Sequence, residues 1–315
     1  MSLVTSLDWT VDAFRSLARG DDHKFIHLLE AFEVPVTLED SSTTVRTHFL
    51  ARDINGTILL EPLADAMARF VVDFTIPRAR IKKAFKEYET TGSSDAMMAL
   101  RAEASELFVP SAGSGEGGEL LLFLLMEKTL GYPQLLSKFP LKTNNNVHVH
   151  GSDGVHGHLR EDGVLDLYWG ESKFWQDSSK AIADCFESIA PFLDPSDSAS
   201  RKRDLLLLRD HLNVDEEALA AHLIRYFDGE HEESKSVRWN GVCLVGFDVD
   251  AYPNPKVAAD AELALIRAQV GRWHKAFLGR IKQHNLLSIN VDIFCVPLPS
   301  VEGIRNLVGR KLGVI

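Results

Sequence analysis

"HVHGSDGVHGHLREDGVLDLYWGESKFW", His148 to Trp175, decides how the second half of this chain is read. "NVHVHGSDG" and "GVLDLYWGESKFW" carry the content of strands, and Glu161-Asp162-Gly163 reads as the hairpin turn between them. Two metal sites can be drawn on the same residues. The pairs His148/His150 and His156/His158 suit zinc. The carboxylates suit a hard, oxygen-seeking cation such as Mg2+.

On a strand, residues two apart share a face, so Glu171 and Lys173 point one way and Ser172 the other. A plain ion pair accounts for Glu-x-Lys as well as a site does. A divalent cation asks for a second carboxylate. Asp166 lies five residues before Glu171 and faces away from it. Asp153 is better placed, because a two-residue turn at Asp162-Gly163 sets it across from Ser172. A one-residue bulge, inexpensive at Gly151, Gly154 or Gly157, then brings Asp153 to the face of Glu171. A third carboxylate, Glu119, heads the apolar "GELLLFLL", either as a favourable charge at a helix N-terminus or as an inward ligand. The zinc reading needs four converging imidazoles, finds no cysteine nearby and leaves Glu171 and Lys173 unexplained. His156, three residues past Asp153, is expected to line the site and touch a phosphate.

Around this hairpin the pattern predicts a mixed sheet covered by helices, an α/β (α+β) fold. "ELLLFLLMEKTL" is a buried helix stopped at Gly131, and "DSSKAIADCFESIAPFL" has a cap signal and helical spacing. Further helices are expected at Asp204–His211 and Asp215–Phe227. Then follow the strand "GVCLVGFDVD", a long helix, the strand "LLSINVDIFCVPLP" and a last helix capped by Ser300. Before "VPSAGSGEGG", Val109 to Gly118, helices are expected near Leu63–Asp73, over "RARIKKAFKEY" and over "DAMMALRAEASELF". That Gly/Ser-rich stretch is read as a linker, dividing an N-terminal accessory region, residues 1–108, from a second domain, 109–315.

The chain has 315 residues and a formal net charge of −11. The charge is uneven, since Pro255 to Ile315 holds nine Lys/Arg against four Asp/Glu. A chain that coats nucleic acid by itself is usually basic, so the acidic balance argues against autonomous, non-specific DNA binding. The longest apolar run, Leu120 to Met126, falls far short of the roughly 20 residues a membrane span needs. "MSLVTSLDWT" shows no secretory pattern, and Cys185, Cys243 and Cys295 sit apart in apolar surroundings. A cytoplasmic protein with reduced thiols, and no membrane partner, is expected.

An acidic residue at a helix start, an Asp on one strand, Glu-x-Lys on the next and then a helix resembles the PD-(D/E)xK nuclease superfamily, with its restriction-endonuclease-like core. More narrowly, "GEGGELLLFLLMEKTLG", "HVHGSDGVHG" and "LYWGESKFWQDSSKAIADCFESI" resemble the HamA family (DUF1837) of the bacterial Hachiman anti-phage system. "INGTILLEPLADAMARFVVDFTIPRARI" extends the likeness over most of the chain. The first motif here is Ser-Asp rather than Pro-Asp, which keeps the carboxylate. The resemblance implies that Asp153 and Glu171 hold Mg2+ or Mn2+, with the Ser172 backbone carbonyl as a further ligand. It implies that Glu119 acts directly or through a water, and that Lys173 orients the attacking water or offsets charge at phosphorus. It also implies a DNA nuclease controlled by a HamB-type superfamily 2 helicase, for which the N-terminal region is the docking surface expected here. A nuclease-like module that mainly binds and regulates the helicase is the alternative.

Overall fold

Among the described residues, one sheet of eight strands runs through the protein. In chain order they are β1 (Leu29–Ala31), β2 (Val36–Thr37), β3 (Thr44–Leu50), β4 (Gln134–Leu136), β5 (Gly154–Leu159), β6 (Leu165–Trp175), β7 (Val237–Asp248) and β8 (Val291–Leu298). The helices are α1 (Leu7–Arg15), α2 (Leu60–Arg69), α3 (Val71–Thr75), α4 (Arg78–Thr91), α5 (Asp95–Leu107) and α6 (Glu116–Leu125). They continue with α7 (Ser178–Leu193), α8 (Ser198–Asp210), α9 (Glu217–Phe227), α10 (Asp260–Gln283) and α11 (Val301–Leu312). This computed structural model describes residues 7–19, 25–108, 115–137, 139, 152–194 and 198–314.

The strand order is β1-β3-β8-β7-β6-β5-β4, with β2 beside β3. β4, β5 and β6 are antiparallel neighbours, whereas β6, β7, β8 and β3 run parallel. Helices cover both faces of the parallel part, which is why β7 and β8 read as continuous apolar runs rather than alternating ones. On β6 the alternation sorts the two cores. Leu165, Leu167 and Trp169 join Ile182, Cys185 and Phe186 of α7 on one face. Tyr168 and Phe174 join Leu120 to Leu125 of α6, with Val301 and Ile304 of α11, on the other. A helix apolar all round must be buried, and α6 is.

Most of the expected elements are present. Asp177 caps α7, its carboxylate accepting from Lys180 N at 2.7 Å, and Ser300 Oγ caps α11 by accepting from Gly303 N at 2.9 Å. Three features differ. The glycine-rich stretch read as linker is helical from Glu116 onward, where its small residues bring α6 close to the sheet. A Cβ on Gly118 would lie 3.1 Å from Ser172 Oγ and 3.3 Å from Phe174 Cδ1. Met126–Leu130, expected as ordinary helix, forms a π-helical turn that ends at Gly131 with φ 69°. The third difference is β1, β2 and β3, which no helical pattern announced. β3 lies parallel to β8, so residues before 108 extend the central sheet.

The hairpin also differs from the two-residue turn expected at Asp162-Gly163. Arg160 N donates to Val164 O at 2.9 Å, and Gly163 N to Arg160 O at 3.0 Å. Gly163 has φ 80°, a left-handed conformation that glycine adopts at little cost. This longer turn moves the register by one residue, so that Leu159 faces Leu165 and Gly154 faces Gly170.

Candidate active site

β5 stays with β6 only as far as Gly154 opposite Gly170. There the N–H of Asp153 also donates to Gly170 O, at 2.8 Å. Two residues of β5 thus oppose one of β6, which is a bulge. The Asp153 side chain takes over where the backbone pairing stops. Its Oδ2 accepts from Ser172 N at 2.8 Å and from Ser172 Oγ at 2.9 Å. A carboxylate that receives a strand N–H lies near the plane of the sheet. The expected bulge is therefore present, but it does not carry Asp153 onto the face of Glu171. Asp153 stands at the edge of β6 beyond its last described pairing with β5, while Glu171 stands on the α7 face.

Glu171 is 5 % exposed and forms an ion pair with Lys173, two residues on along the same face. Burial works against the Lys173 ammonium, but the Glu171 carboxylate outweighs it, and Asp153 adds to the effect, so the pKa of Lys173 is held above its ordinary value. The three charged groups therefore belong to one electrostatic unit. Behind it, Cys185 of α7 places its thiol 3.6 Å from Glu171 O. Burial, then the neighbouring Cys243, pushes the Cys185 thiol well up, so it is a neutral floor to the site. All three cysteines are buried and unbridged.

The donor set suits a hard cation. On an extended strand the N–H and C=O of one residue leave by the same edge. The carbonyl of Ser172 therefore opens beside Asp153, with Glu171 next to it in sequence. Among the described residues no three His, Cys, Asp or Glu side chains gather into a metal-holding group. Two carboxylates and a carbonyl fit an ion that keeps several waters, as Mg2+ does. Glu119 is buried in the first turn of α6, next to the Gly118 that packs on Ser172.

The histidines are placed elsewhere. His156 is 2 % exposed, its Nδ1 donating to Tyr132 O at 2.9 Å. The phosphate contact expected of it is closed off by burial, which also lowers its pKa to about 4 and keeps the imidazole neutral. His158 stacks on Tyr132, ring centroids 4.7 Å apart, with Asp166 Oδ2 3.9 Å from its Nδ1. His148, His150 and Gly151 lie outside the described residues. His48, also buried, has its pKa lowered to about 4, by burial first. Both imidazoles titrate below the unfolded value of about 6.5, so the stability they lend is present above that pH and lost as pH falls toward 4. Thermal unfolding is expected to shift down between about pH 6.5 and 5, by up to about 2 kcal/mol per imidazole. An unchanged midpoint over that window contradicts buried, neutral imidazoles.

Two contributors carried no sequence signal. The Ser172 hydroxyl orients Asp153, yet a serine between Glu and Lys announces nothing. Arg305 of α11 reaches Phe174 O at 2.7 Å across 131 residues of chain.

A family model for HamA matches residues 24–312. The chain belongs to the HamA family. Membership makes it a component of Hachiman antiviral defence. No curated protein matches the sequence. Among the described residues no helix is long and apolar enough to cross a membrane.

Proposed function

We propose that this chain is a metal-dependent DNA nuclease, with Asp153, Glu171 and the Ser172 carbonyl as the Mg2+ or Mn2+ ligands. The observation that carries this is the edge of β6 beyond the described end of β5, where Asp153 takes a strand partner's place beside Ser172 and Glu171 pairs with Lys173. The topology around it supports the PD-(D/E)xK reading. A helix, α6, precedes the antiparallel β4, β5 and β6, then α7 crosses to β7, parallel to β6.

A divalent cation there supplies charge neutralisation at the phosphoryl oxygens and a nucleophile available near neutral pH. The chain's own residues do the rest. Lys173 is a held cation, suited to offset negative charge that grows on the phosphate during attack. Glu171 keeps Lys173 in place and charged. Ser172 N–H and Oγ fix the Asp153 carboxylate, so one ligand is oriented before any ion arrives. Glu119 acts directly or through a water in this reading.

The net charge of −11 opposes tight binding to DNA by the chain alone. A HamB-type helicase is the proposed partner that engages the DNA and controls cleavage, with residues 1–108 as docking surface. The test is a cleavage assay on linear and supercoiled DNA, with the chain alone and with the helicase. Cleavage is expected with Mg2+ or Mn2+, strongest with the helicase, and none in EDTA. Full activity in EDTA removes the metal. No cleavage under any condition, with helicase binding retained, makes the chain a regulatory module.

A further inference from the structure

We propose that Arg305 is a phosphate-binding residue of this site, taking a phosphate of the nucleic-acid strand next to the one presented to Asp153 and Glu171. The inference rests on the nuclease reading and adds a contact to it. It starts from the edge of β6 beyond the described end of β5. Gly170 turns its carbonyl toward β5, and alternate residues along a strand do the same. Ser172 and Phe174 therefore present their backbone groups to that same edge, past the described pairing. Asp153 occupies the first of these positions. Arg305 occupies the second, its NH2 donating to Phe174 O at 2.7 Å. Two residues of strand separate the positions, about 7 Å at roughly 3.3 Å per residue. That is close to the reach from one phosphate to the next along a nucleic-acid strand.

Arg305 is built for the purpose. A guanidinium carries five N–H donors in a fixed fork, and the bond to Phe174 O uses one amino group and sets the plane. Its ionic neighbour is Glu302 on its own helix, whose Oε2 is 3.9 Å from NH1, too far for a hydrogen bond, and whose side chain is 60 % exposed. The Arg305 side chain is 21 % exposed, so the group is held yet reachable. A planar fork with donors to spare matches phosphate oxygens in a way that lysine does not. A strand laid across two carboxylates also needs a cation in its path. On one side of the Asp153 position that is Lys173, and further along the same edge it is Arg305.

The test uses the full chain and a fluorescent single-stranded oligonucleotide, followed by anisotropy in EDTA over a range of salt, so that no turnover is required. Arg305→Gln is expected to weaken binding about tenfold and to reduce the salt slope by about one. Arg310→Gln, an exposed arginine of the same helix, is expected to change binding less than about twofold. Arg305→Lys separates contact from scaffolding. Restoration of the salt slope by lysine supports a phosphate contact, and a slope as flat as that of Arg305→Gln with a lowered unfolding midpoint overturns it. Equal losses in Arg305→Gln and Arg310→Gln, an Arg305→Gln that binds like the wild type, or a wild type that binds no oligonucleotide also overturn it. Cleavage is scored separately with Mg2+ and Mn2+. A wild type that binds through Arg305 but never cleaves removes the nuclease reading and leaves the contact, whereas unaltered binding and cleavage in Arg305→Gln removes the contact alone.

Discussion

Glu171→Ala and Lys173→Ala are each expected to bring metal-dependent DNA cleavage to background, a loss of about two to three orders of magnitude or more. The two substitutions remove different things. Without Glu171 the cation site keeps only Asp153 and the Ser172 carbonyl, and Lys173 loses the anion that holds it. Without Lys173 both carboxylates remain, but the cation paired with Glu171 no longer offsets charge on the phosphate under attack. Because the pair is in direct contact, the losses are not additive, and the double variant is expected to be scarcely worse than either single one. Asp153→Asn isolates the third member. An amide at that position has one oxygen to offer where the carboxylate has two and carries no charge, so it loses affinity for the ion while still accepting from Ser172. The readout is nicking or linearisation of plasmid by purified variants whose unfolding midpoints stay near that of the wild type. Cleavage retained in a well-folded Glu171→Ala or Lys173→Ala excludes this edge of β6 as the active site.

Much of the site was legible because strand alternation is a strict rule. Glu171 with Lys173 on one face, and Ser172 on the other, follow from spacing alone. The placement of Asp153 was not legible, because it depends on two single-residue choices. Gly163 at φ 80° decides the length of the turn, and Asp153 N reaching Gly170 O decides where the ladder ends. Each moves the register by one residue, and a one-residue slip changes which face a side chain takes. His156 misled for another reason. Proximity in sequence to Asp153 suggested a shared pocket, whereas its position on β5 turns it into the α6 face beneath Tyr132 O. The strand β3 has a signal in "TVRTHFL", where β-branched and apolar residues lie close together. Its place beside β8 is set by contacts across 248 residues of chain, which no local pattern encodes.

A second large effect is expected far from this chemistry, at Glu127 in the π-helical turn that follows α6. Its side chain is fully buried, and three other segments converge on it. Arg19, just after α1, donates from its backbone N at 3.0 Å and from NH2 at 3.1 Å. Arg78, opening α4, donates from NH2 at 3.3 Å, and Gln134 of β4 donates from its backbone N at 3.0 Å. Burial first, then Arg19, brings the Arg78 guanidinium down to about 10 even with Glu127 opposing them, so the cluster is costly unless the carboxylate is present. Glu127→Ala leaves two largely buried cations without their anion and is expected to cost about 3–5 kcal/mol, a large share of a typical domain's stability of about 5–15 kcal/mol. Glu127→Gln keeps the shape but not the charge and is expected to lose somewhat less. A change below about 1 kcal/mol in urea unfolding refutes the assignment. The pH dependence gives an independent check. Burial raises the carboxyl pKa, but Arg19 and Arg78 outweigh it, so the folded value lies below the ordinary one. A depressed acid contributes stability above its unfolded pKa of about 4.3 and loses it as pH falls through the folded value. The gap between wild type and Glu127→Gln should therefore be full near neutrality and narrow below about pH 4. The buried histidines are common to both proteins and cancel in that difference, so a gap that stays constant down to about pH 3 would show that Glu127 is not held ionised by its two arginines.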